Sequence, residues 1–236
     1  MLPFLTDAQP FPQTAQALAL PNGLLAASKT LTVERLLSAY RRGVFPWYGP
    51  GEPVLWWAPH PRMVLFTEEF KISRSLRKTV RRAAGSGHYA VRVDVDFAAV
   101  MQACAAPRGA AEGTWIQPPV MAAYCELHAQ GLAHSIETWR DGVLVGGLYL
   151  VAIGRMVYGE SMFARESDAS KIALTCLVNW LRGQEGDLID CQQNTHHLSS
   201  LGGREISRQL FETLLTERID APPFAWTACD DLLQLL

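Results

Sequence analysis

Three short stretches hold the side chains that could do chemistry. Asp190 sits in Leu188-Ile189-Asp190-Cys191, a run otherwise free of charge, where an ionised carboxylate is costly unless it is paired or hydrogen-bonded. Two residues on, Gln192 projects to the same face of an extended strand, so a carboxylate and an amide can converge on one substrate group. A strand-end aspartate capping the following turn explains Asp190 equally well. Glu160, in Val157-Tyr158-Gly159-Glu160-Ser161-Met162-Phe163, is another acid in an apolar strand, beside a glycine that admits a second backbone closely. Its plainer reading is a solvent-facing strand residue. Two such acids on neighbouring strands would make a pocket suited to a cation. Cys191 with His196 and His197 raises a thiol nucleophile, but alternation turns Cys191 away from Asp190 and Gln192, and a buried structural thiol is the simpler account.

The third stretch, Lys71 to Arg82, reads KISRSLRKTVRR, with Ser73 placed to cap a helix. At about 100° per residue, Arg74, Arg77, Lys78, Arg81 and Arg82 share a broad face and Leu76, Val80 and Ala83 the opposite one. Solvated helix faces usually mix signs; this one carries six cations, counting Lys71, and no acid, which suits phosphate contacts. Trp47, Trp56, Trp57 and Trp115 could stack on bases or close a pocket, although each alone is more often core.

These residues need elements to hold them. Pro46-Trp47-Tyr48-Gly49-Pro50-Gly51 and Trp56-Trp57-Ala58-Pro59-His60-Pro61 read as turns and short extended pieces around one helix, about Thr32 to Arg42. That makes a small N-terminal domain over residues 1–61, followed by a larger one over 62–236. A helix runs from about Val120 to Gln130. His134 to Trp139, Val143 to Ala152 and Arg155 to Phe163 form an antiparallel meander joined by Arg140-Asp141-Gly142 and Ile153-Gly154. A largely buried helix starts at Ser167-Asp168, Leu188 to Cys191 returns as a strand, and a final helix covers about Ser207 to Glu217. The fold class is α+β: a mixed sheet with helices packed on it, compatible with the acyltransferase architecture called GNAT-like. An acetyl-CoA enzyme of that architecture has a glycine-rich turn before its central helix. Here the turn reads Ala164-Arg165-Glu166-Ser167-Asp168, which disfavours CoA.

The 236 residues suffice for a sizeable core, and the net charge of −2 argues against nucleic acid only as a global sum. Five scattered cysteines, Cys104, Cys125, Cys176, Cys191 and Cys229, include no C-x-x-C pair, so neither a disulfide framework nor a zinc site is suggested. No apolar run reaches a membrane span and the first residues lack a leader pattern; the expected location is the cytoplasm, away from the membrane.

Taken together, Pro21-Asn22-Gly23-Leu24-Leu25, Phe45-Pro46-Trp47, Leu55-Trp56-Trp57-Ala58-Pro59, Gly113-Thr114-Trp115-Ile116, Ala133-His134-Ser135-Ile136-Glu137, Gly146-Gly147-Leu148-Tyr149, Gly159-Glu160-Ser161-Met162-Phe163, Ala169-Ser170-Lys171 and Leu188-Ile189-Asp190-Cys191-Gln192 strongly resemble the bacterial leucyl/phenylalanyl-tRNA-protein transferases. The likeness runs in order from about residue 20 to 215. It implies transfer of leucine or phenylalanine from aminoacyl-tRNA to the N-terminal Arg or Lys of an acceptor protein, marking it for N-degron proteolysis. It further implies a GNAT-like C-terminal domain behind a small N-terminal one, and no metal or diffusible cofactor. We expect the chain to act as a monomer.

By position, the resemblance makes Asp190 and Gln192 the catalytic candidates. Gln192 would position the attacking amine, Asp190 would accept or stabilise its positive charge, and Glu160 would help hold the cationic acceptor. Leu148, Met162, Leu174, Leu177 and Ile189 would receive the donor side chain, with Tyr40, Trp47 and Trp115 near the terminal adenosine or pocket mouth. Lys71, Arg74, Arg77, Lys78, Arg81 and Arg82 would hold tRNA. The chain departs from the best-known members, which carry Met at the place of Leu148 and Phe at that of Leu177, so the preference between leucine and phenylalanine stays open. An asparagine that the family uses just after this segment is displaced, with Thr195 in its position and Asn194 before it. A non-catalytic module for basic N-termini or tRNA ends, and a GNAT acyltransferase of small amines, are the alternatives.

Overall fold

The computed structural model describes residues 1–6, 8–106, 114–226 and 231–235; Gly113 of the Gly113-Thr114-Trp115-Ile116 block and Cys229 lie outside them. Elements follow as β1 (Phe4–Leu5), β2 (Leu24–Ser28), α1 (Val33–Tyr40), β3 (Phe45–Pro46), β4 (Val54–Trp57), β5 (Arg62–Phe66), α2 (Arg74–Ser86), β6 (Tyr89–Val93), α3 (Phe97–Ala105) and α4 (Pro118–Ala129). The meander is β7 (Ala133–Arg140), β8 (Val143–Ile153) and β9 (Met156–Ala164), after which come α5 (Ala169–Gly183), β10 (Leu188–Gln192), α6 (His196–Ser200), β11 (Arg204–Ile206) and α7 (Arg208–Ile219). Elements read from periodicity lie within a few residues of their expected ends. Five were not anticipated: β5, β6, α3, α6 and β11.

Strands before Pro61 form a four-stranded sheet, β1-β2-β4-β3, and those after it a seven-stranded one, β11-β5-β10-β9-β8-β7-β6. The class is therefore α+β with a mixed sheet, since β10 runs parallel to β9 while the other neighbours in the larger sheet are antiparallel. The period of two along β8 explains how that sheet is covered. Tyr149, Val151 and Ile153 enter a core with α3, α4 and the first sheet, whereas Leu148, Leu150 and Ala152 enter a second core with α2 and α5. With both faces covered, β8 reads as an almost unbroken apolar run, as sandwiched strands do.

Two local devices fix α2 and α5. Ser73 caps α2, its Oγ accepting from the Leu76 N–H at 3.1 Å, and Gly87 ends the helix at φ 71°. At the start of α5, Gly146 of β8 leaves the space the helix occupies, because a Cβ there would stand 2.5 Å from the Ala169 Cβ. The Thr138 hydroxyl then donates to the Ala169 carbonyl at 2.9 Å.

Candidate active site

The parallel pairing of β9 and β10 is short, with Ile189 opposite Val157 and Asp190 opposite Tyr158. Beyond it the two strands diverge, and the opening between them is a cavity of about 540 Å³, within the range of small-molecule sites. This splay is consistent with the GNAT-like arrangement expected from the sequence. Gly159 to Met162 of β9 form one edge, Cys191 to Gln193 the other, and Leu174 and Leu177 of α5 the floor.

A bulge sits on each edge. Between β9 and β8 the register steps from Leu150 opposite Gly159 to Tyr149 opposite Ser161, leaving Glu160 as the extra residue. Between β10 and β5 it steps from Asp190 opposite Val64 to Gln192 opposite Met63, leaving Cys191 extra. Bulges re-aim side chains and recur beside functional sites. Gln192 completes its turn at φ 57°, a left-handed conformation that costs a non-glycine residue of order 1 kcal/mol. The expected alternation, with Asp190 and Gln192 on one face, therefore does not hold.

Asp190 is fully buried behind the cavity and does not line it. Its carboxylate receives Nε and Nη2 of Arg62, at 2.8 and 2.6 Å, in a bidentate pair whose side chains are 2% and 0% exposed. Phe45 and Phe211 sandwich the guanidinium, with centroids 4.9 and 4.6 Å from Cζ. Asp190 Oδ1 also accepts the Gln192 N–H at 2.9 Å, so the turn-capping reading and the paired-charge reading are both realised.

Glu160 is the acid that faces the cavity. The hydroxyls of Tyr40 and Tyr124 donate to its two oxygens at 2.7 and 3.1 Å, and the Gln192 side-chain amide lies 3.3 Å from Oε1. Burial pushes its pKa up from 4.5 to about 7, against the opposing pull of the two tyrosine hydrogen bonds. Tyr40 is fully buried and absent from the cavity wall; it supports Glu160 from behind instead of meeting a ligand. The Tyr40 and Tyr124 hydroxyl oxygens lie 2.5 Å apart; as each carries one proton, a hydrogen bond between them and two to Glu160 hold together when Glu160 is protonated and supplies the third, and burial foremost raises both tyrosine pKa values.

Other expected residues separate cleanly. Leu148, Met162, Leu174, Leu177 and Ile189 all line the one cavity, and Trp47 and Trp115 line it too. Trp56 and Trp57 belong to the core. Cys191 touches the cavity, but burial, then the charge of Asp190, raises its thiol pKa above the ordinary value, which disfavours the thiolate that a nucleophile needs. Lys71, Arg74, Arg77, Lys78, Arg81 and Arg82 are all exposed, and no ion pair to any of them occurs among the described residues.

Sequence reasoning passed over Arg62 and Tyr124; His197, weighed there only as a partner for Cys191, lines the cavity. For Arg62 a signal existed, since a lone cation in Arg62-Met63-Val64-Leu65-Phe66 poses the same burial problem as Asp190, and the two solve it together. Tyr124 gave none, because an aromatic on the inner face of a helix reads as core whether or not its hydroxyl points at a carboxylate.

The arrangement presents a carboxylate and an amide, from Glu160 and Gln192, at the edge of a largely apolar cavity. A family profile described as leucyl/phenylalanyl-tRNA protein transferase matches residues 64–216, and its N-terminal domain profile matches residues 29–60. Proteins named leucyl/phenylalanyl-tRNA-protein transferase are similar to the chain over nearly their whole lengths. One from Paraburkholderia xenovorans (strain LB400) is 56% identical, covering 96% of this chain and 94% of its own. Another from Nitrosomonas eutropha (strain DSM 101675 / C91 / Nm57) is 56% identical, over 94% and 93%. Matched along both sheets, including both bulged edges of the cavity, the chain belongs to the leucyl/phenylalanyl-tRNA-protein transferase family.

Proposed function

We propose that the chain moves leucine or phenylalanine from aminoacyl-tRNA to the N-terminal Arg or Lys of acceptor proteins, marking them for N-degron proteolysis. The observation that carries this reading is the convergence of Glu160 and Gln192, from opposite bulges, on the rim of a cavity whose floor is wholly aliphatic. The donor side chain enters among Leu148, Met162, Leu174, Leu177 and Ile189, and the terminal adenosine rests against Trp47 and Trp115. In this reading the ester carbonyl lies at the rim, where Gln192 orients the incoming amine.

The α-amine attacks the carbonyl carbon, its N–C bond forms, and the C–O bond to the ribose breaks, releasing the tRNA hydroxyl. Glu160 holds the cationic amine and takes one proton from it before the attack; the second proton, shed as the amide forms, passes to the departing ribose oxygen, which leaves as a hydroxyl. With a pKa of about 7 Glu160 is matched to its part at neutral pH. Asp190, which the resemblance offered as a proton acceptor, reads as a positioning residue: its carboxylate is committed to Arg62 and to the turn that aims Gln192. The ester is already activated, so orientation supplies much of the acceleration. The exposed cations of α2 hold the tRNA backbone.

Incubation with labelled leucyl-tRNA and a peptide beginning with Arg tests the reading. The expected product is the peptide extended by one leucine, and much less of it from a peptide beginning with Asp. Intact leucyl-tRNA and unmodified peptide after long incubation would sink the proposal.

A further inference from the structure

Behind the cavity wall, two phenols and one carboxyl group close a ring of hydrogen bonds. Tyr40 Oη and Tyr124 Oη lie 2.5 Å apart, Tyr40 Oη is 2.7 Å from Glu160 Oε1, and Tyr124 Oη is 3.1 Å from Glu160 Oε2. Neither phenol lines the cavity, and both are fully buried. Aromatic neighbours hold them there: Tyr40 packs on Tyr158, whose hydroxyl donates to the Tyr40 carbonyl at 2.7 Å, and Tyr124 stands edge-on to Trp115 and Tyr149. Each phenol brings one proton to the three contacts, so the carboxyl must bring the third. The Gln192 amide, 3.3 Å from Oε1, donates from the cavity side. Were Glu160 ionised with both phenols donating to it, the two phenol oxygens would face each other at 2.5 Å with no proton between them. The closed ring is therefore the arrangement of the neutral acid.

We propose that Glu160 stands neutral in the empty site and gives its proton to solvent when the acceptor's ammonium enters the cavity, so that acceptor binding itself creates the base. The proposal rests on the transferase reading and deepens it. The step balances: a neutral carboxyl and an ammonium become a carboxylate–ammonium pair and one free proton. The phenols then part, each donating one hydrogen bond to the carboxylate, and the ammonium stands where the ring has opened. From that pair the carboxylate takes a proton of the ammonium, as in the transfer above. The surrounding groups do not ionise Glu160 beforehand. Asp190 of β10 opposes its charge and Arg62 of β5 favours it, and these two are spent on each other. Tyr158 of β9 packs behind, and Tyr149, Cys191 and His197 line the same cavity; burial foremost favours the neutral forms of Tyr158, Cys191 and His197. Until the acceptor arrives, a neutral Glu160 offers water no base with which to hydrolyse a waiting ester.

Calorimetry of the full chain with an amidated peptide beginning with Arg, at pH 6 in two buffers of different ionisation enthalpy, counts the protons exchanged without involving catalysis. The peptide's α-amine, with a pKa of about 8, is charged at this pH. With a Glu160 pKa of about 7, about 0.9 proton should leave per peptide bound. Between pH 5 and 6 the peptide's Kd should fall about tenfold. Glu160→Gln should bind the peptide with no net release and a flat Kd over the same range. No release from the unaltered protein, or an equal release from Glu160→Gln, would overturn the proposal and leave the transferase reading standing. Infrared difference spectroscopy decides the matter if the variant binds too weakly for calorimetry. As peptide saturates the unaltered protein, a protonated-carboxyl C=O band that Glu160→Gln lacks should disappear; its absence beforehand, or its persistence at saturation, would overturn the proposal. Failure of the unaltered protein to bind the peptide at all would instead count against the transferase reading.

Discussion

Removing Arg62 should expose what holds the catalytic edge in place. In Arg62→Met, Asp190 loses both guanidinium hydrogen bonds, at 2.8 and 2.6 Å, in a setting where neither side chain is more than 2% exposed. Two ions so far from water gain little net stability as a pair, but a single partner left behind costs about 3–5 kcal/mol. That is a large share of the roughly 5–15 kcal/mol by which a domain of ordinary stability stays folded. The double variant Arg62→Met, Asp190→Asn removes both charges and keeps a carbonyl oxygen to accept the Gln192 N–H. It should therefore regain at least about 2 kcal/mol over Arg62→Met, a coupling of the size contacting residues show. Urea unfolding followed by tryptophan fluorescence and far-ultraviolet circular dichroism measures both. If the single and double variants unfold within about 0.5 kcal/mol of each other, the buried pair does not have the energetic role assigned to it.

The raised pKa of Glu160 sets a second expectation. Between 4.5 and about 7 the folded state binds a proton that the unfolded state has lost, so the contribution of Glu160 to stability is fullest below that window and falls as pH rises through it, by about 3 kcal/mol at most. Glu160→Gln should lack this component, and parallel stability profiles of the two proteins between pH 5 and 8 would refute it. Charge reversal at Arg77 and Lys78 should raise KM for aminoacyl-tRNA and lower the magnitude of the log–log salt slope by about 2; an unchanged slope would return α2 to an ordinary solvated face. Gln192→Gly relieves a left-handed backbone, so it should unfold no more readily than the unaltered protein while kcat drops by about a hundredfold or more. Cys191→Ala should keep kcat within about tenfold, since its thiol takes no part in the chemistry, at a stability cost of about 1–2 kcal/mol. A loss of a thousandfold would restore the thiol to the mechanism.

Much of the fold was legible because its signals are local. Ser73 as a cap, the meander with its Asp-Gly and Ile-Gly turns, and the apolar positions of α5 each follow from side chains a few residues apart. β5, β6 and β11 were missed because their pairing partners lie far along the chain: β5 bonds to β10 and β11, and β6 to β7; α3 and α6, of 9 and 5 residues, are too short for a helical period to stand out. The apolar half of the candidate site came from the family likeness, and its five apolar residues line one cavity. Its polar half was less so. Period-two reasoning assumes an unbroken pleat, and both acids stand next to bulges that break it. Asp190 consequently points into the interior, and Glu160, readable as a solvent-facing strand residue, becomes the acid of the cavity. Where a carboxylate finds its partner depends on Arg62, 128 residues away, and no local pattern announces that distance.

The central claim is that the amine meets the ester between the two bulges, at Glu160 and Gln192. A crystal structure with the amide-linked leucyl-adenosine donor and an Arg-initiated peptide tests it most directly. The donor side chain should lie among Leu148, Met162, Leu174, Leu177 and Ile189, with the peptide's α-amine within hydrogen-bond reach of Glu160 and the carbonyl beside Gln192. An α-amine seated elsewhere, with Glu160 still closed off by Tyr40 and Tyr124, would contradict the account.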